Sequence, residues 1–324
     1  MTVNPDQTTY PIAIVGPTAS GKTALANEVA LVLKGEVISM DSRQVYRGMD
    51  IGTAKATPGE RAAVPSHGLD LVSPGERFSA VRFARYAREV IDQIQKRGAT
   101  PILVGGTGFF LRALTHPTFA EPELDPDRRR QLGEYLNRFP TETLLGWLRA
   151  FDPVNAERLT RWGGRQRILR ALEMPLLTSR SLSWWHANSE PEAEPLSPLV
   201  FVLNPPRELL DERITRRVQE MVAAGLVEEV ARLMAEGYDE HSPGMNATGY
   251  RELIPYLRGE IPLEEALEEI RRNTRAYSKR QLTWFRGQLS EGAVWLDGAA
   301  PREDLVSEIV ETTRLRGVSR SGAP

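Results

Sequence analysis

Residues 16–23 read Gly-Pro-Thr-Ala-Ser-Gly-Lys-Thr, which fits G-x-x-x-x-G-K-[ST] at every position. Residue types in this order make a phosphate cradle. The glycines let the backbone curl until several N–H groups converge on phosphate oxygens. A helix starting at the end of the loop adds the positive pole of its dipole. Lys22 supplies a cation, and the Thr23 hydroxyl is a ligand for Mg²⁺. At average residue frequencies the pattern arises by chance in about one chain of this length in a hundred. Gly16, Thr18, Ala19, Ser20, Gly21, Lys22 and Thr23 are the candidate phosphate ligands.

Such a loop does not say what the phosphates are attached to. Kinases of small molecules, NTPases and pyrophosphate-dependent transferases all use one. An NTPase normally keeps an acidic residue at the end of a further apolar strand, for Mg²⁺ or water. Here the apolar run 102–104 ends in Gly105-Gly106-Thr107-Gly108, without an acid. The acid at a strand end is Asp41, in Met40-Asp41-Ser42-Arg43-Gln44-Val45-Tyr46. In a parallel sheet the carboxyl ends of neighbouring strands face one crevice, so Asp41 should lie near the phosphates, placed to ligate Mg²⁺ or take a proton. An isolated Asp after a strand is more often a helix cap.

These residues need a sheet to hold them. Residues 10–15 and 37–40 read as strands, and Leu25, Val29 and Val32 sit at helical spacing between them. A helix over 83–96 stops at Gly98 and is followed by a strand over 101–104. This alternation predicts an α/β fold: a P-loop NTPase-like parallel sheet flanked by helices. From 117 to 198 the pattern turns helical and rich in arginine and proline, with helices at 127–138, 141–150 and 166–178 and a loop at 189–198. A strand returns at 199–203, then helices at 206–224, 227–236, 250–257 and 262–285, and a last strand at 293–296. The expected organisation is a core of residues 10–116 and 199–316, a mostly helical insertion over 117–198, and mobile tails at 1–9 and 317–324.

The bulk numbers agree with a soluble globular protein: 324 residues, 41% hydrophobic and 26% charged. Zero cysteines exclude disulfides, zinc-thiolate sites and iron–sulfur clusters. No signal peptide or membrane-length apolar run is visible, so the expected setting is the cytoplasm, without a membrane. Nothing suggests an obligate interface, and a monomer is expected. The net charge of −2 argues against nucleic acid only as an average. Between 159 and 170 the charges are Arg161, Arg165, Arg167 and Arg170, and between 271 and 286 they are Arg271, Arg272, Arg275, Lys279, Arg280 and Arg286. Acids gather elsewhere, as at Glu264, Glu265, Glu268 and Glu269, and segregation of this kind can build a positive face. A solvated helix surface is the competing account of each cluster.

Asp41 is not isolated. The phosphate loop, then Asp-Ser-Arg-Gln-Val-Tyr (41–46), Gly-Met-Asp-Ile-Gly-Thr-Ala-Lys (48–55), Val-Gly-Gly-Thr (104–107) and Gly-Tyr-Arg (249–251) follow one another in order. In this combination the chain closely resembles the bacterial tRNA dimethylallyltransferases, also called tRNA isopentenyltransferases. The resemblance spans about residues 10–296 and is weakest in the insertion. It implies transfer of a dimethylallyl group from dimethylallyl pyrophosphate to N6 of the adenosine just 3′ of the anticodon. The donor pyrophosphate, rather than ATP, would then lie in the phosphate loop. Asp41 corresponds to the family's general base, and Thr107 sits beside the target amine. Three stretches match the family's contacts to the tRNA anticodon stem-loop: Asp41, Ser42, Arg43 and Gln44; Gln166, Arg167, Ile168, Leu169 and Arg170; and Asn246, Ala247, Thr248, Gly249, Tyr250 and Arg251. Arg129 falls where a further contact is expected, and Arg213 and Arg217 match arginines near the pyrophosphate. Ala247-Thr248 departs from the hydrophobic pair common before Gly-Tyr.

That chemistry suits these residue types. An exocyclic adenine amine is a poor nucleophile, and a carboxylate that orients it and takes its proton is typically worth ~10²–10⁴ in rate. Lys22, loop amides, Mg²⁺ and arginines would stabilise the departing pyrophosphate. Arg213 and Arg217, four apart, share a helix face, although a surface ion-pair helix with Asp211 and Glu212 would look the same. The insertion would clamp tRNA, hinged near Pro117 and Ser197. Trp184 and Trp185 read as packing before stacking, Tyr277 and Trp284 as core, and Lys279-Arg280-Gln281 as an RNA or substrate contact. The scattered histidines at 67, 116, 186 and 241 suggest no metal. Two other accounts stay open on the residues alone: a small-molecule or nucleoside kinase, and a non-catalytic RNA-binding P-loop protein.

Overall fold

The computed structural model describes residues 10–119, 122 and 124–321; the tail expected at 1–9 lies outside them. In chain order the elements up to Thr115 are β1 (Ile12–Val15), α1 (Lys22–Leu33), β2 (Gly35–Ser39), α2 (Pro58–Ala63), β3 (Ser66–His67), α3 (Ala80–Lys96), β4 (Thr100–Gly105) and α4 (Gly108–Thr115). Next come α5 (Pro126–Leu136), α6 (Thr141–Phe151), α7 (Pro153–Trp162), α8 (Arg165–Thr178) and α9 (Leu182–Asn188). The chain continues with β5 (Leu199–Asn204), α10 (Arg207–Ala223), α11 (Leu226–Ala235), α12 (Leu253–Leu257), α13 (Leu263–Gln288), β6 (Val294–Asp297) and α14 (Arg302–Ser321). It forms two compact units: residues up to Thr115 joined by those from Leu196, and His116–Pro195. The return to the first unit precedes β5, because the Leu196 amide already donates to the Leu114 carbonyl at 2.9 Å.

The first unit is built on a six-stranded sheet in the order β3-β2-β4-β1-β5-β6, with every pairing parallel. The central strands β1 and β4 are buried at every position and mostly apolar, as strands covered on both faces are. One face packs against α3, α4 and α11–α13 through residues such as Phe83 and Phe110, whose rings stack at 4.1 Å. The other packs against α1 and α14 through Ile14, Leu25, Val29, Phe201 and Ile309. Because β4 lies between β2 and β1, the loop after β4 stands between the phosphate loop and Asp41.

The second unit is a bundle of the helices α5–α9 around Leu144, Leu148, Ala156, Ile168 and Leu172. Asp152, 1% exposed, pins three of them. Its carboxylate accepts from the Asn155 side chain at 2.7 Å and the Ser183 amide at 3.0 Å. Trp185 is packed locally, stacked on Phe119 with its indole N–H on the Thr178 hydroxyl, whereas Trp184 stays 37% exposed under the Arg180 guanidinium. The tail expected from Gly317 is helical to Ser321, since a single glycine costs a helix only about 1 kcal/mol.

Candidate active site

Helix α1 starts without a side-chain cap. Its N-cap is Gly21, held at φ 90°, a left-handed conformation that favours glycine. The first amides of α1 therefore point into the loop with no carboxylate or hydroxyl of their own to meet them. Ser20 is 2% exposed, and its buried Oγ has no hydrogen-bond partner among the described residues. A buried hydroxyl costs free energy when unpaired, so an unpartnered Oγ in this loop fits an anion site. A cavity of about 430 Å³ opens beside the loop, lined by Ala19, Ser20, Gly21, Arg213, Arg217 and Arg302. Arg213 donates to the Ser20 carbonyl at 3.2 Å, which holds α10 against the loop.

Lys22 donates to the Pro17 carbonyl at 3.0 Å. Burial, its largest influence, holds its pKa down at about 8; the Asp41 charge pulls it up and Arg217 pushes it down. Burial likewise lowers Arg217, with Asp41 acting against it. The carboxylate and the cations of the phosphate loop thus share one electrostatic neighbourhood. Asp41 Oδ1 accepts from the Arg43 amide at 2.8 Å, which fixes the carboxylate in a turn of its own.

Thr107 is the next link. Its Oγ1 accepts from the Ser42 amide at 3.0 Å, while its own amide donates to the Met40 carbonyl at 3.3 Å. It therefore grips the chain on both sides of Asp41. Tyr277 on α13 neighbours this side chain, and its phenol is pushed above its usual value by burial and then by Asp41. Tyr277 was expected in the core; it is 36% exposed and belongs to the site. Gln281 joins the two loops, accepting from the Thr18 amide at 2.8 Å and donating to the Gly106 carbonyl at 2.9 Å.

The remaining expected RNA contacts divide by burial. Gln44 is engaged internally, accepting from Ser39 and donating to the Thr53 carbonyl, and Arg43 donates to the Pro243 carbonyl. In the 246–251 loop, Asn246 and Arg251 are exposed and Thr248 is half-buried. Ala247 is 2% and Tyr250 0% exposed, so their side chains hold the loop in place rather than face a partner. The Tyr250 hydroxyl donates to Glu229 at 2.5 Å, and the same carboxylate takes the amides of Asp50, Ile51 and Gly52. Glu229, absent from the sequence expectations, thus ties the 48–55 segment to the 246–251 loop. In the second unit, Gln166 and Arg167 are exposed, whereas Ile168 and Leu169 are 2% and 8% exposed and face the helical core. Arg129 and Arg170 converge on Glu173, at 2.9 Å and 2.6 Å.

The charge segregation read from the sequence is smaller in three dimensions. Arg271 pairs with Glu264 and Glu268, Arg272 with Glu269, and Arg275 with Glu268, because acids one or two turns earlier share their helix face, and Arg275 also pairs with Asp211 of α10. Lys279 and Arg280 pair with no described acid, and Arg280 lies 5.9 Å from the Tyr277 ring centre.

Among the described residues, no group of three or more His, Cys, Asp or Glu could hold a metal ion. A hard cation using Thr23 and Asp41 would have to complete its shell with phosphate oxygens and water, which is the habit of Mg²⁺.

Fold and site together define a P-loop protein of the NTPase-like class, with a carboxylate facing its anion cradle. Residues 44–288 match the family model described as IPP transferase. The phosphate loop and Asp41 precede that span. The chain is 45% identical to the tRNA dimethylallyltransferase of Syntrophobacter fumaroxidans over 93% of its length and 87% of the relative's. It is 43% identical to that of Geobacter metallireducens, covering 94% and 98%. The crystal structure of the tRNA isopentenylpyrophosphate transferase from Bacillus halodurans superposes with a TM-score of 0.70 at 37% identity, covering 97% of this chain and 99% of that one. A eukaryotic dimethylallyltransferase acting on tRNA superposes at 0.75 and 27% identity, covering 90% and 74%. The chain belongs to the IPP transferase family.

Proposed function

We propose that the protein transfers the dimethylallyl group of dimethylallyl pyrophosphate to N6 of the adenosine 3′ of the anticodon in tRNA. The observation that carries this reading is the opposition of Asp41 to Lys22 and Arg217 across the loop after β4, on a chain of this family. The N6 lone pair attacks C1 of the dimethylallyl group, the C1–O bond breaks, and pyrophosphate leaves. The proton lost by N6 passes to the Asp41 carboxylate, which Thr107 steadies through Ser42. Lys22, Arg213, Arg217 and the open amides of α1 meet the charge growing on the leaving group. Mg²⁺, held by Thr23 and Asp41 together with the pyrophosphate, would neutralise part of that charge. Adenine must leave its stack to reach the site, which costs only a few kcal/mol in a single-stranded loop. Gln166 and Arg167 offer exposed contacts for RNA. The proposed setting is the cytoplasm and the proposed working unit a monomer.

The test mixes the protein with labelled dimethylallyl pyrophosphate, Mg²⁺ and unmodified tRNA, without ATP. Label should enter one anticodon-loop adenosine. Asp41→Asn should bind donor nearly as well and turn over at least about tenfold more slowly. Normal turnover of that variant would remove Asp41 from the mechanism. Absence of label with tRNAs reading codons that begin with U would return the loop to ATP and favour a kinase.

A further inference from the structure

Building on that transfer reaction, we infer that Gln281 is a positioning residue that sets the distance between the loop holding the leaving pyrophosphate and the loop beside the acceptor amine. Gln281 lies on α13 and is 7% exposed. Its carboxamide spans two loops from different strands. Oε1 accepts the Thr18 N–H at 2.8 Å, and Nε2 donates to the Gly106 carbonyl at 2.9 Å. A planar primary amide offers an acceptor and a donor at fixed separation. Glutamate could replace only the acceptor, and asparagine is one methylene too short.

The loops are shaped around this amide. A Cβ on Gly106 would lie 2.1 Å from Nε2, so the glycine makes room for the bridge. Tyr277 and Trp284, four residues before and three after, share the face of α13 that carries Gln281. Tyr277 neighbours Thr107, and the Trp284 ring lies 2.2 Å from where a Gly108 Cβ would be. This face of α13 roofs the whole segment after β4. Through Thr107 and Ser42 the same segment holds the turn of Asp41. The bridge therefore runs from the donor loop to the neighbourhood of Asp41, with both of the amide's hydrogen bonds spent on the backbone. In a displacement the attacking and receiving atoms must sit ~3–3.5 Å apart, and a shift of about 1 Å can cost ~10²-fold. The bridge controls that separation.

The experiment compares wild type with Gln281→Ala, Gln281→Asn, Gln281→Glu, Gly106→Ala and the Gln281→Ala/Gly106→Ala double variant, each checked by thermal melting. Steady-state transfer of labelled dimethylallyl to tRNA is measured with both substrates varied. Gln281→Ala and Gln281→Asn should lose about 10–100-fold in kcat, with KM for donor and for tRNA within about threefold of wild type. Gln281→Glu should also raise KM for the donor, because its carboxylate faces the phosphate loop. A variant whose loss falls on KM for tRNA would make Gln281 an RNA contact and overturn the inference. Gly106→Ala should reproduce the kcat loss by displacing the amide. In the double variant the shortened residue 281 leaves space, so the loss should be no larger than the greater single loss; multiplied losses would also overturn the inference. Amide exchange gives a reading independent of turnover: Thr18 should lose protection in Gln281→Ala. Unchanged protection overturns the bridge even if wild type transfers no label, a result that by itself counts against the proposed reaction alone.

Discussion

Lys22 should destabilise the protein whenever its anion is absent. Burial lowers its pKa from 10.5 to about 8, and at 1.36 kcal/mol per unit the charged form costs the folded chain about 3 kcal/mol at neutral pH. Lys22→Met keeps the length and apolar stem of the side chain and removes the charge. The ligand-free variant should therefore be at least as stable as wild type at pH 7, despite losing the bond to the Pro17 carbonyl. The sign of the pH dependence follows from the direction of the shift. Between about 8 and 10.5 the unfolded chain still holds a proton that folded Lys22 has released, so wild-type stability rises with pH across that window. Lys22→Met lacks this rise. The measurement is urea denaturation of both proteins at pH 7 and pH 10, in buffers free of phosphate, sulfate and pyrophosphate. Other groups titrate in both proteins and cancel. The difference should shift by about 2–3 kcal/mol in favour of wild type on going to the higher pH. A difference constant to within about 0.5 kcal/mol would refute the reasoning, as would a variant much less stable at pH 7. Pyrophosphate should raise the unfolding temperature of wild type at pH 7 and leave the variant unmoved.

Two further outcomes are expected. Tyr250→Phe leaves Glu229 with its backbone donors but without the hydroxyl at 2.5 Å; the melt should show a loss of about 1–3 kcal/mol, and KM for tRNA should rise while KM for the donor does not. An unchanged KM for tRNA would mean that the 246–251 loop does not take part in RNA binding. Removing divalent metal with a chelator should abolish transfer and weaken pyrophosphate binding, and Thr23→Ala should weaken binding in Mg²⁺ but not in its absence. Equal pyrophosphate affinity with and without metal would exclude a bridging ion.

How far the sequence reveals this arrangement depends on the range of the signal. Five of the six strands are legible because apolar runs are local features, and the phosphate loop because its backbone conformation is written in consecutive residues; β3, only Ser66–His67, is too short to read. Asp41 after a strand reads on its own as a helix cap, and it is the motifs following it that single it out. Helices α7 and α9 are not legible, because Pro153–Trp162 and Leu182–Asn188 are short and carry few apolar residues; their order depends on Asp152, which reaches Asn155 and Ser183. Glu229 looks like any acid in the first turn of a helix. Its function appears only when three amides from residues 50–52 converge on it, some 180 positions earlier in the chain. Tyr277 is missed for a similar reason: helical periodicity indicates that a residue faces inward, but not that Thr107 and Asp41 lie beside it. Charge suffered the opposite error, since the arginines at 271–275 look free until the glutamates at 264–269 are placed on the same face.

The glycines after β4 connect the fold to the chemistry. NTPases of this architecture use an acid near this position to hold metal or water, and an acid there would bring water to the phosphates. In this chain the segment 105–108 contains three glycines and a threonine, which lets α13 lie directly against it. A roof of Tyr277, Gln281 and Trp284 then replaces the acid with apolar and amide surface. The carboxylate is displaced one strand outward, to β2, because β4 separates it from β1. Asp41 and the loop 16–23 are thereby placed on either side of a covered segment. That separation suits a displacement in which the nucleophile enters from one side and pyrophosphate leaves from the other, as in the proposed transfer.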